Sequence, residues 1–163
     1  MLHVRPSTEA DLPAIYELYR KGRAHMRAEG NTTQWGETEP PESKIPSDIA
    51  KGISYVVEDE NGTVCGTFAF ILGEDPTYAY IENGSWPDDL PYGTIHRIAS
   101  DQKTGGILKA AVAFCSTKTD RLRIDTHENN RTMRAAAARA GFVPAGTIYV
   151  SDGTPRIAFT RST

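Results

Sequence analysis

Hydrophobic and polar positions change period several times along the chain, and each change marks an element. Residues 2–5, "LHVR", predict a short strand. "STEADLPAIYELYRKGRAHMRAEG" puts Leu12, Ile15, Tyr16 and Tyr19 on one stripe of a helix that Ser7 or Thr8 can cap. The polar, proline-rich residues 31–47 predict a loop, and "SDIAKG" a short helix ended by Gly52. "SYVVEDENGTVCGTFAFIL" has two β-branched, aromatic-rich runs around Asn61-Gly62, a strong hairpin signal. Residues 73–93 are a second loop, and "TIHRIA" is a strand. Over 106–118, Ile107, Leu108, Ala111, Val112, Phe114 and Cys115 share a helical stripe. "RLRIDT" is a strand, and "NNRTMRAAAARA" an alanine-rich helix ended by Gly141. A second hairpin turns at Asp152-Gly153.

The order β-α-α-β-β-β-α-β-α-β-β predicts an α/β fold: a mixed sheet with helices on its faces and one βαβ crossover at 94–126. A chain of 163 residues is enough for one full core, so a single domain over 1–163 is expected. Apolar residues at 39% and charged residues at 24% suit a globular protein, and no apolar run approaches the roughly 20 residues of a membrane helix. The N-terminus turns polar within a few residues, unlike a signal peptide. Cys65 and Cys115 sit in apolar runs and read as reduced thiols of a cytoplasmic protein. Without a CxxC or His/Cys cluster, no metal is expected. The net charge of −3 is uneven: residues 1–100 hold 8 Lys+Arg against 16 Asp+Glu, and residues 101–163 hold 10 against 5. That is either ordinary solvated surface or a field that draws an anion toward the C-terminal half. The cations are too sparse, and aromatics too little interleaved, for nucleic acid.

The turn closed by Gly105-Gly106 stands between a strand and a helix. A helix in that place exposes its first N–H groups and the positive end of its dipole, and glycine admits a phosphate close to the backbone. A glycine pair also simply makes a tight turn.

The surroundings carry more. "TIHRIAS", the glycine turn, its helix, "RIDT", "HENN" and a helix ending "AGF", together with the opening "LHVRPSTEADLPAIYEL", resemble the GNAT superfamily of N-acetyltransferases over nearly the whole chain. The resemblance implies a central mixed sheet of about seven strands flanked by about four helices. It implies acetyl-CoA as cosubstrate, its pantetheine arm along Ile98, Ala99 and Ser100 and its pyrophosphate on Gly105, Gly106 and Ile107. Lys103 or Lys109 stands in for a cation missing from the turn, and Asn129 or Asn130 contacts the cofactor while the other caps its helix. The sequence departs from the family pattern in three places. Leu108 replaces a small residue and is expected to crowd the phosphates, Ser100 replaces an aliphatic, and Ala137 falls where the family often has a proton-donating tyrosine.

Amine acylation needs a base and an acid. His96 resembles a strand histidine that serves as base in arylalkylamine acetyltransferases; a structural histidine packed on a helix is the alternative. Strand alternation turns Arg97 to the opposite face, paired with a carboxylate. Tyr149 is a candidate acid, or a packed strand tyrosine. His127 reads as a solvated loop residue, and Cys65 as core rather than nucleophile. The only tryptophans, Trp35 and Trp86, lie in loops that in this family shape the acceptor pocket, or else they anchor those loops. Glu82, Asp88 and Asp89 can attract a cationic amine.

The sequence therefore leads to an acetyl-CoA-dependent N-acetyltransferase acting by direct attack of a primary amine of a small molecule or peptide. No membrane partner is expected, and the final hairpin leaves an edge for a homodimer. The rivals are a CoA-binding regulatory module without turnover and a protein-interaction scaffold domain.

Overall fold

The computed structural model describes residues 1–31, 34–35 and 40–162. Seven strands form one sheet: β1 (His3–Pro6), β2 (Ser54–Glu58), β3 (Val64–Leu72), β4 (Gly93–Ser100), β5 (Arg121–Thr126), β6 (Val143–Tyr149) and β7 (Pro155–Ser162), in the order β1-β2-β3-β4-β5-β7-β6. The helices are α1 (Leu12–Ala28), α2 (Lys44–Ala50), α3 (Ile107–Cys115) and α4 (Arg131–Arg139). Both hairpins turn where the glycine signals stand. Gly62 and Gly153 hold φ of +78° and +84°, and Asp59 and Asp152 accept the turn amides of Thr63 and Thr154. Only β4 and β5 run parallel, joined by α3.

Two boundaries move for local reasons. Thr8 caps a 3-10 turn at Glu9–Asp11 through a capping box with Asp11, and α1 begins only at Leu12. Helix α2 starts three residues before "SDIAKG", because Pro46 falls in its first turn, where a missing N–H costs nothing. Of the loop predicted at 31–47, residues 32–33 and 36–39 lie outside the described residues.

Leu108, Ala111 and Cys115 of α3 and Ala137 of α4 pack against Phe68, Leu122, Ile124 and Phe159 on one face of the sheet. Ile15, Leu18 and Tyr19 of α1 and Ile45 of α2 cover Val56 and Ala99 on the other. Fully burying side chains such as Ile15 and Ile124, both 0% exposed, contributes about 1.5–3 kcal/mol each.

Two irregularities position the site. Strands β4 and β5 pair only at Gly93 with Leu122 and Thr94 with Arg123, and beyond that they part. Within β4, Ala99 pairs Thr67 and His96 pairs Ala69, so Arg97 and Ile98 oppose one residue of β3 as a β-bulge. Arg97 takes φ +51°, held by its ion pair to Asp48 at 2.6 Å and by Tyr19 Oη donating to its carbonyl at 2.8 Å. The bulge breaks alternation. Ile95 and Ile98 pack with the α3–α4 core, whereas His96 and Arg97 both fall on the opposite face. The expected carboxylate partner of Arg97 is present; the expected opposite face is not.

Candidate active site

Where β4 and β5 part, a cleft of about 1100 Å³ opens. That exceeds the roughly 300–1000 Å³ of a site for one drug-sized ligand. Its two ends differ in chemistry.

One end is the turn before α3. Gly106 caps the helix at φ +82°, and no side chain caps the helix. Among the described residues the N–H groups of Ile107, Leu108 and Lys109 meet no acceptor, since the first helical bond is Ala110 N–H to Gly106. These donors, Gly105, Lys103 and Lys109 line the cleft. The turn's earlier amides are already used. Ser100 Oγ accepts from Gln102 N at 3.1 Å, and Asp101 Oδ1 accepts from Lys103 N at 2.9 Å and Thr104 N at 2.7 Å. Burial opposes it, but these bonds hold the Asp101 carboxyl below its ordinary range. An anion therefore meets a short cradle with a carboxylate beside it. Leu108 does not crowd it: its side chain is 5% exposed and packs in the core. Ile107 likewise turns inward, seated on Gly66, where a Cβ would lie 2.7 Å from Ile107 Cγ2. Ile98, Ala99 and Ser100 line the same cleft, with their strand unpaired on the β5 side.

The other end gathers charge. His96 Nε2 lies 2.9 Å from Asp75 Oδ2. Burial works against ionisation of Asp75, yet hydrogen bonds from His96 and Thr77 bring its carboxyl down to about 2. Asp75 therefore accepts and Nε2 carries the hydrogen, so in the neutral ring Nδ1 is the nitrogen with the lone pair. Asp125 of β5 accepts the Tyr78 hydroxyl at 2.7 Å, and burial pushes its carboxyl up. Arg156 of β7, only 5% exposed, also lines the cleft.

The cleft brings together Trp35, His96, Ile98, Ala99, Ser100, Gly105, Gly106, Ile107, Lys109 and Asn130. Trp86, Glu82, Tyr149, Asn129, Asp88 and Asp89 lie outside its lining. Trp86 is a loop anchor: its Nε1–H donates to the Tyr78 carbonyl at 2.9 Å, and its ring stacks under Arg123 at 3.9 Å. Glu82 pairs with Thr147 of β6 through an isolated bridge and accepts the hydroxyls of Tyr80 and Tyr149. That bond raises the proton affinity of Tyr149, whose side chain stands on the exposed face of an edge strand. Asn129 is exposed, while Asn130 caps α4 by accepting from Met133 N at 3.1 Å. Ala137 is fully buried in the core; α4 turns Thr132, Met133, Ala136 and Arg139 to the cleft, none of them a group that gives up a proton readily near neutral pH. Asp88 pairs with Arg121 at 2.9 Å. His127 donates its N–H to Gln34 and accepts from Asn129 N, and burial lowers its pKa. Cys65 and Cys115 are buried and free, and burial pushes Cys115 up to about 12, which leaves no thiolate nucleophile.

Sequence reasoning missed Asp75, Asp125, Arg156 and Gln34. Gln34 Oε1 accepts from Asn31 Nδ2, Thr126 Oγ1 and the His127 amide, which ties the Trp35 loop to the end of β5. One signal was present for Asp125: in "RLRIDT" Leu122 and Ile124 face the core, so the charged residues between them share the other side.

No protein-family model and no curated protein matches the chain. Solved structures match over nearly its whole length. An acetyltransferase of the GNAT family from Streptococcus agalactiae 2603 superposes with a TM-score of 0.89 at 28% identity, covering 99% of this chain and 95% of that one. A GNAT superfamily phosphinothricin acetyltransferase from Sinorhizobium meliloti, in complex with AcCoA, gives 0.63 at 18% identity over 99% and 88%. An acetyl transferase from Salmonella typhimurium, which modifies the N-terminal serine of 50S ribosomal subunit protein L7/L12, gives 0.67 at 19% over 99% and 95%. The last two speak for the fold alone. The first supports acyl transfer in general terms.

Proposed function

We propose that this chain, which has the fold of the GNAT acetyltransferases, is a single-domain N-acetyltransferase that moves an acetyl group from acetyl-CoA to a primary amine of a small molecule or peptide. The observation that carries this is one cleft with two unlike ends: unpaired helix-terminal N–H groups at α3, and at the other end His96 paired with the half-buried Asp75. The thioester of acetyl-CoA supplies an activated acyl group. The residues present fit that molecule. Gly105, Gly106 and Ile107 offer backbone donors to a pyrophosphate, with Lys109 or Lys103 adding charge. The edge of β4 over Ile98–Ser100 offers amides to an extended amide-bearing arm, and backbone N–H groups near Ala99 are donors to a polarised carbonyl. Asn130 and Trp35 line the path.

His96 takes the proton from the attacking amine at Nδ1, directly or through water. Asp75 holds the ring and offsets the imidazolium charge. Residues facing the cleft from α4 supply no acid, so the leaving thiolate takes its proton from solvent or from the imidazolium.

A second reading, a CoA-binding module without turnover, draws on the Asp101 carboxylate in the turn and the absence of an acid on α4. One experiment separates them. Acetyl-CoA at about 100 times its Kd is expected to stabilise the fold by roughly 2.7 kcal/mol, raising Tm by about 5–10 °C. Thiol release with an amine panel follows. A Tm shift without thiol release from any amine favours the module. No Tm shift removes both readings.

A further inference from the structure

Arg156 has no part in the chemistry above, yet it is a buried guanidinium that lines the cleft. Its Nη1 donates to Thr154 Oγ1 at 2.9 Å and to the Pro155 carbonyl at 2.8 Å. Among the described residues, Nε and Nη2 have no partner and no carboxylate forms an ion pair with it. Burial pulls its pKa down, and Asp125 and Asp152 attract it through space without closing an ion pair on it. Asp125 pairs Ala158 across β5 and β7, two residues from Arg156 and on the same face. Such diagonal neighbours stand about 7–8 Å apart. Asp125 spends one oxygen on Tyr78 and faces the same cleft. The two opposite charges thus look into one space without closing on each other.

We infer that the acceptor is an amine that carries its own anionic group a few bonds away, as an α-amino acid does. Its anion sits on the free edge of Arg156, and its amine lies toward Asp125 and His96. A bidentate hydrogen-bonded anion on Arg156 supplies the close ion pair that neither aspartate forms. An ammonium and a carboxylate on one carbon, each with a hydrogen bond to the protein, span a gap of this size. The inference rests on the acyltransferase reading and specifies its acceptor.

The test uses thiol release from acetyl-CoA with the common L-amino acids, each set against its C-terminal amide and its decarboxylated amine. For at least one amino acid, kcat/KM is expected to exceed that of both counterparts by about 100-fold or more. Arg156→Met is expected to bring the amino acid down to the level of the amine. The same variant keeps the wild-type Tm within a few degrees or raises it, because it removes an unpaired buried charge. It also keeps the acetyl-CoA Tm shift. A fall in Tm of more than about 5 °C in Arg156→Met makes the residue structural and overturns the inference. So does turnover indifferent to the anionic group, or no turnover of any amino acid while the acetyl-CoA shift persists. Loss of that shift in the wild-type protein instead sinks the acyltransferase reading, and the inference falls with it.

Discussion

Gly105 and Gly106 stand side by side and respond differently to a side chain. Gly106 holds φ +82°, so any L residue there is strained by roughly 1–2 kcal/mol. Gly105 lies outside the left-handed region, and a Cβ on it meets nothing within 4 Å. Gly105→Asp is therefore the cleaner probe of the cradle. It is expected to keep Tm within about 2 °C and to weaken acetyl-CoA about 10-fold or more through like-charge repulsion. Gly106→Asp is expected to lose stability and binding together. Unchanged acetyl-CoA affinity in Gly105→Asp would remove the phosphate role from this turn. At the other end, Asp75→Asn leaves the His96 tautomer unset. A fall in kcat of about 10- to 100-fold, with a displaced acid limb in the pH–rate profile, is expected from stopped thiol-release assays. A kcat and profile like those of the wild type would make the pair structural.

At the scale of elements, the β4 bulge governs which side chains reach the cleft, and α2 holds it in place. Asp48 is 2% exposed and carries the Arg97 pair. Asp48→Ala is expected to cost about 3 kcal/mol in urea unfolding, since it strands a half-buried guanidinium at a strained residue. Gly66→Ala drives a Cβ into Ile107 at the start of α3, with a cost of about 1–3 kcal/mol and weaker acetyl-CoA binding as the donors shift. The two loop tryptophans give an independent check on the cleft's boundary. Trp35 lines it, edge-on to Tyr19 with ring centroids 5.3 Å apart, whereas Trp86 sits outside it against Arg123. Trp35→Phe is expected to abolish a ligand-induced change in tryptophan fluorescence, and Trp86→Phe to preserve it. The reverse pattern would move the acceptor site to the other loop.

Across the whole molecule, two carboxyls link stability to acid. Asp11, bonded by Arg5 and Thr8, and Asp75, bonded by His96 and Thr77, are both held near 2 against an ordinary 3.8. Each folded pKa lies below its unfolded value. The stabilisation, about 2 kcal/mol per carboxyl, is thus complete above roughly pH 4 and lost as pH falls toward 2. Tm measured between pH 2 and 6 is expected to drop steeply below pH 4, and Asp11→Asn to flatten that drop. An equal slope in the variant would remove Asp11 from the linkage.

The order of elements was legible in the chain because its signals are local. A helical stripe, a glycine in a hairpin or an asparagine before an alanine run acts within a few residues. The α3 turn and Asn130 cap could be found on the same ground. Everything that depends on lateral placement was not legible. The two tryptophan loops look alike as text, and only packing separates a cleft wall from an anchor. Asp75 reaches His96 across 21 residues, and Tyr78 reaches Asp125 across 47. Asp125 and Arg156 share a face only because β5 and β7 pair in one register. A single extra residue in β4 reverses the facing of Arg97, and alternation alone cannot announce it. The sequence by itself determined which segments are strands and helices, because short-range sterics and periodicity act within each segment. The tertiary structure alone decided which charges meet in the cleft, because non-local hydrogen-bond register and packing set that neighbourhood.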